Sequence, residues 1–168
     1  MLEKVSPESA EALRAHMAEN PGAVIETVAS ERGVTPRAVI EALPETMRSI
    51  ADGARFEPLM QEIANWGDVT FIVHTADAIF EFSGPVPKGQ VSHGYYNLMA
   101  PKGLHGHLRH QRCGGVAFVE REFRGKTSAF IAFLNVDGGI MFKVFVGREA
   151  DGSLKADQFA AFRRARTA

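Results

Sequence analysis

At 168 residues the chain has the length of one ordinary domain, and its 45% hydrophobic content is enough to build a core. A formal net charge of -1 offers no Lys/Arg surplus for duplex nucleic acid as a main partner. No apolar run approaches the length of a bilayer span or a signal-peptide core, and a single cysteine, Cys113, excludes an internal disulfide and a cysteine zinc cage, so the expectation is a soluble, cytoplasmic, reduced protein.

The first third of the chain has a helical period. Ser6-Pro7-Glu8-Ser9 reads as an N-cap with proline at the first helical position, and Leu13 and Met17 give a modest stripe up to the breaker Asn20-Pro21-Gly22. Residues 23–32 read as a second helix with Val24, Ile25, Val28 and Ala29 on its apolar face. Thr35 then caps a short helix that starts at Pro36 and ends near Leu43-Pro44. The Ala29, Gly33, Val39-Ile40 spacing resembles a helix-turn-helix, yet its second helix offers Arg37 against Glu41 and little else that reaches a base edge, so a compact helical cap is the simpler reading. A helix over 56–66 would bury Leu59, Met60, Ile63 and Trp66.

From Val69 to Val146 the period changes to two. Residues 69–74 and 78–82 form a hairpin around Thr75-Ala76-Asp77, and single strands follow at 91–98 and 104–109. Residues 116–123 turn at Arg124-Gly125-Lys126 into 128–134, and a turn at 135–139 leads into 140–146; Gly114-Gly115 and Gly138-Gly139 read as turns. A last helix over 155–166 carries Phe159 and Phe162. The fold class is α+β in a single domain: a large antiparallel sheet with a helical cap over about residues 1–66 and a closing C-terminal helix.

The densest chemistry lies at residues 103–110, which hold His105, His107, His110 and Arg109. Read as a strand, the segment puts His105, His107 and Arg109 on one face and Leu104, Leu108 and His110 on the other. That face offers two candidate metal or haem-iron ligands beside a cation able to meet a carboxylate. His74 ends an apolar strand. His93-Gly94-Tyr95-Tyr96 adds an imidazole and two phenols that are candidate ferric-iron ligands. Taken singly, each of these is an ordinary hydrogen-bonded strand residue, and Cys113 is an ordinary small hydrophobe. No zinc-protease, nucleophile-elbow, P-loop or dinucleotide fingerprint is present in the sequence.

Several runs together resemble one family. Trp66-Gly67-Asp68-Val69-Thr70, Val73-His74-Thr75-Ala76-Asp77, Glu81-Phe82-Ser83-Gly84, His93-Gly94-Tyr95-Tyr96-Asn97-Leu98, Gly106-His107-Leu108 and Phe145-Val146-Gly147-Arg148 are similar, in order and spacing, to the intracellular haem-utilisation carriers of the ChuX/HutX type. The resemblance implies a saddle-like antiparallel sheet flanked by helices, a homodimer, and a cytoplasmic protein that carries haem b and hands it to a haem-degrading or haem-accepting protein without turning it over. It implicates His74 and His107 in haem binding and Tyr95 as an iron ligand, while His105 and His110 depart from the family's pattern. His93 stands beside Tyr95, and Arg109, Lys102 or Arg112 could meet the propionates, with Phe71, Ile72, Phe80, Phe82, Phe130 or Phe133 against the macrocycle. The alternative is a haem-degrading or iron-releasing enzyme of the same pathway.

Overall fold

The computed structural model describes residues 7–168, with side chains from Ser9 onward; Ser6, the expected cap, lies outside the described residues. The first helix, α1 (Pro7–Glu19), buries Leu13 and Met17. The next, α2 (Ile25–Arg32), ends at Gly33, whose left-handed φ of 63° lets its N–H turn back onto the carbonyls of Ala29 and Ser30. Thr35 caps α3 (Pro36–Ala42) as expected, its Oγ1 accepting from Ala38 N at 3.1 Å. The turn between α2 and α3 packs rather than reads DNA: Val39 and Ile40 are buried, and Arg37 is engaged by Glu41 and by the Gly114 carbonyl.

The helical reading of residues up to 66 needs one correction. Arg48–Ala51 is a strand, β1, antiparallel to residues 116–119. Asp52 then accepts from Ala54 N and starts the turn into α4 (Phe56–Ile63), which buries Phe56, Leu59, Met60 and Ile63.

The large sheet also contains β2 (Asp68–His74) and β3 (Ile79–Pro85). The expected single strand at 91–98 is a hairpin instead. β4 (Gly89–Ser92) and β5 (Tyr95–Met99) are joined by His93-Gly94, both at positive φ, 52° and 80°, the signature of a two-residue type I′ turn. β6 (His105–Leu108) pairs with β5, and a 3-10 turn over His110–Arg112 leads into β7 (Cys113–Phe123). Gly114-Gly115 is not a turn: it lies within β7, where the register slips between Cys113 and Gly115. β8 (Lys126–Asn135), β9 (Ile140–Phe145) and helix α5 (Ala156–Thr167) complete the chain.

Six strands in the order β1-β7-β8-β9-β2-β3 make one antiparallel sheet, and β4-β5-β6 make a second. Alternation along each central strand splits the core in two. On one face, Phe118, Ile131, Phe133, Phe142, Val144 and Phe71 meet α4, Phe162 of α5, and Tyr96 and Leu98 of the small sheet. On the other, Val119, Phe130, Ala132 and Leu134 meet Leu13, Met17, Ile25 and Ile40 of α1–α3. The large sheet is therefore covered on both faces over β7 and β8. Toward β2 and β3 the helical cover on the second face runs out, which leaves a cleft.

Candidate functional site

Strand parity divides the candidate ligands into two places. In β5, Tyr96 and Leu98 point into the first core while Tyr95 and Asn97 point out; in β6, His105 and His107 are exposed. Cross-strand pairing sets Asn97 opposite His107 and Met99 opposite His105. The outer face of the small sheet thus gathers Tyr95, whose ring meets His107 edge-on with centroids 6.0 Å apart, and His105, 5.8 Å from His107. Arg109 lies beyond the end of β6, one residue past Leu108, yet its guanidinium still reaches over the Tyr95 ring at 5.9 Å. The His107 Nδ1 is 2.6 Å from Asn97 Oδ1. Met99, 66% exposed, gives this face an apolar margin.

His93 sits at the tip of the same hairpin, with Nδ1 2.6 Å from Ser92 Oγ. Tyr96, the other phenol, is withdrawn: it is fully buried, its hydroxyl oxygen accepts from Gln61 Nε2 and from Gly89 N–H at 3.1 Å each, and burial pushes it above the ordinary phenol range. His110 turns inward, its ring centroid 6.2 Å from that of Phe56.

His74 is elsewhere. In β2, Val73 packs toward the first core and His74 points to the opposite face, so the large sheet and its core separate His74 from the Tyr95–His107 face. His74 Nδ1 is 3.5 Å from Glu26 Oε2, and Glu26 Oε1 pairs with Lys143 Nζ at 2.5 Å. It opens on a cleft of about 670 Å³ with Ile72, Ile79 and Phe145 as apolar walls and Arg124, Arg148 and Lys155 as cations. That volume is within the range of ordinary small-molecule sites, roughly 300–1,000 Å³. Ile79, opposite His74 in the β2–β3 register, is 57% exposed on this side, whereas Phe80 is opposite Val73 and stands 69% exposed on the other face of the hairpin. Among the described residues, no three His, Cys, Asp or Glu side chains converge as a metal centre requires.

The other expected lining residues divide accordingly. Phe71, Phe130 and Phe133 are core, Phe82 packs against the first core, and only Phe80 and Ile72 face open surface or cleft. Arg112 is paired with Asp137. Asn97, Glu26 and Lys143 were invisible as site residues in the sequence. Asn97 gains its partner from the β5–β6 register, and Glu26 meets Lys143 across 117 positions.

The chain is similar in sequence and fold to known proteins. Residues 49–165 match the family model described as haem utilisation ChuX/HutX. A curated relative, the intracellular heme transport protein HutX of Vibrio cholerae, is 34% identical over 163 residues, covering 96% of this chain and 84% of that protein. Among solved structures, a protein of Erwinia carotovora superposes with a TM-score of 0.89 at 42% identity, covering 92% of this chain and 96% of that one. The heme binding protein ChuX gives a TM-score of 0.84 at 35% identity, covering 92% and 97%.

Proposed function

Because the chain belongs to the haem utilisation ChuX/HutX family, we propose that it binds haem b inside the cell and passes it on without chemical turnover. The observation that carries this reading is the outer face of the small sheet, where the Tyr95 ring meets His107 edge-on at 6.0 Å and lies under the Arg109 guanidinium at 5.9 Å, and none of the three is buried. An imidazole or a phenolate there supplies an axial ligand to ferric iron, and Arg109 supplies a cation for a propionate. An exposed ligand suits a cargo that must leave again.

His74 cannot share that iron within one chain, since the large sheet stands between them. It joins the site only from a second copy, so the reading includes a homodimer in which the His74 cleft of one protomer faces the Tyr95–His107 surface of its partner. The exposed Ile79 opposite His74, and the edge of β3, unpaired among the described residues, support such an apposition. The receiving protein is a haem-degrading or haem-using partner.

The test is a haem titration of the apo-protein in the Soret region, repeated with His107→Ala, Tyr95→Phe and His74→Ala. Saturable binding at a fixed haem-to-chain ratio is expected, with the ferric spectrum altered by His107→Ala or Tyr95→Phe. An unchanged Soret band and affinity in both would remove the site. Given ascorbate and air, the bound haem is expected to yield no biliverdin-like absorbance; its appearance would make the protein an enzyme.

A further inference from the structure

Two of the candidate imidazoles have partners that leave their protons undetermined. His93 faces a serine hydroxyl, which donates as readily as it accepts, and His74 is only within ion-pair distance of Glu26, at 3.5 Å. His107 differs, because its partner is an amide whose orientation is itself fixed. The Asn97 Nδ2 lies 3.1 Å from the Gln90 carbonyl, 3.1 Å from that of Ser92 and 3.2 Å from that of Tyr95. An oxygen in that place would face three acceptors, so the nitrogen must point to the hairpin and Oδ1 to His107. An amide oxygen has no proton to give. At 2.6 Å, the hydrogen bond therefore requires the proton on His107 Nδ1.

We propose that Asn97 is a positioning residue that holds neutral His107 in the Nδ1–H tautomer and so keeps the Nε2 lone pair free, facing away from the hairpin, for iron. This rests on the reading of His107 as a haem ligand. A neutral imidazole carries one N–H, and placing it at Nδ1 makes Nε2 the basic atom. An outer hydrogen bond of this kind orients the ring and raises its strength as a ligand. Haem then meets a donor that needs neither a ring flip nor a proton shift. The same amide ties Gln90, Ser92 and Tyr95 together, so the tyrosine and the histidine are held in register through one side chain.

The tautomer is read directly in the haem-free protein from imidazole ¹⁵N shifts and long-range ¹⁵N–¹H couplings, at a pH where the ring is neutral. The native chain is expected to show a protonated Nδ1 and an unprotonated Nε2 on His107. Asn97→Leu is expected to give mixed tautomers and to weaken haem binding about 10–100-fold. Asn97→Asp keeps an oxygen acceptor toward His107 and is expected to retain the Nδ1–H form, while its second oxygen, set against the carbonyls of Gln90, Ser92 and Tyr95, loosens the hairpin. A native spectrum with the proton on Nε2, or an Nδ1–H form that persists in Asn97→Leu, overturns the proposal; if that variant does not fold, the native spectrum decides alone. A haem titration of His107→Ala tests the ligand reading separately: unaltered binding there, with the native tautomer as expected, removes the ligand role and leaves the tautomer lock standing.

Discussion

Single residues in this chain owe their chemistry to what lies behind them. Arg121 is buried, donates to the carbonyls of Pro21 and Ala23, and lies over the rings of Phe123 and Phe130, so it binds the α1–α2 connection to the sheet. Burial pushes its guanidinium down to about 10, which still leaves it charged at neutral pH. Cys113 is affected by burial in the other sense: its thiol is pushed up, with Asp52 adding to the effect, and its Sγ–H faces the Gly115 carbonyl. A thiol that holds its proton more tightly folded than unfolded contributes stability below the ordinary thiol range and loses it as pH rises through the raised value. Alkylation of Cys113 by iodoacetamide near neutral pH is therefore expected to be slower in the folded protein than in denaturant, with the pH profile displaced upward. An equal or faster folded rate would show a reactive thiol instead. The sequence carried part of this scale well. Alternation predicted that His105 and His107 share a face, but His110 turns inward because it starts a 3-10 turn after β6, and Asn97 and Glu26 draw their roles from partners that only long-range pairing supplies.

At the scale of elements, the caps and turns were legible where one residue type does the work: Thr35 before Pro36, Gly33 after α2, and the hairpin at Thr75-Ala76-Asp77, where Thr75 Oγ1 accepts from Asp77 and Ala78 N–H. Two elements were not. Arg48–Ala51 has four residues and no apolar alternation, so β1 exists because β7 offers it an edge to pair with. The break at His93-Gly94 was hidden inside a run with strand propensity, because the turn costs only two residues. Gly89 opens the same hairpin against Tyr96, and a Cβ there would stand 2.1 Å from that ring. Since Tyr96 is fully buried and held by Gln61, it cannot move aside. Gly89→Ala is expected to destabilise the protein by about 1–3 kcal/mol, as overpacking does. The urea midpoint measures it, and no change would mean that the small sheet is looser than its packing implies.

For the whole molecule, the consequence is one sheet serving two cores. Phe142 is stacked between Phe71 and Phe133 at 4.8 and 4.4 Å on one face, while Phe130 stacks on Phe145 at 4.8 Å on the other. Because β7, β8 and β9 contribute to both, the layers should melt together. Ile40→Ala, in the helical layer, is expected to cost about 2–5 kcal/mol. The loss should appear equally in Trp66 fluorescence, which reports the opposite layer, and in far-UV circular dichroism. A Trp66 transition left in place would show the helical cap unfolding alone. The α+β class and its helical ends were legible from the change of period near Trp66. The separation of His74 from His107 was not, since a period of two tells which residues share a face of one strand but not which faces two sheets turn toward each other.

The two-residue loop at His93-Gly94 has a further meaning. With side chains alternating along β5, its length decides whether Tyr95 or Tyr96 looks outward, and the β5–β6 ladder passes that choice to His107 and Leu108. The ligand face is in this sense a parity. Odd positions of β5 and β6 hold the chemistry and even positions hold the core, so evolution can exchange side chains along either strand freely in kind, but an insertion of one residue into the His93-Gly94 turn would trade the two alphabets at a stroke.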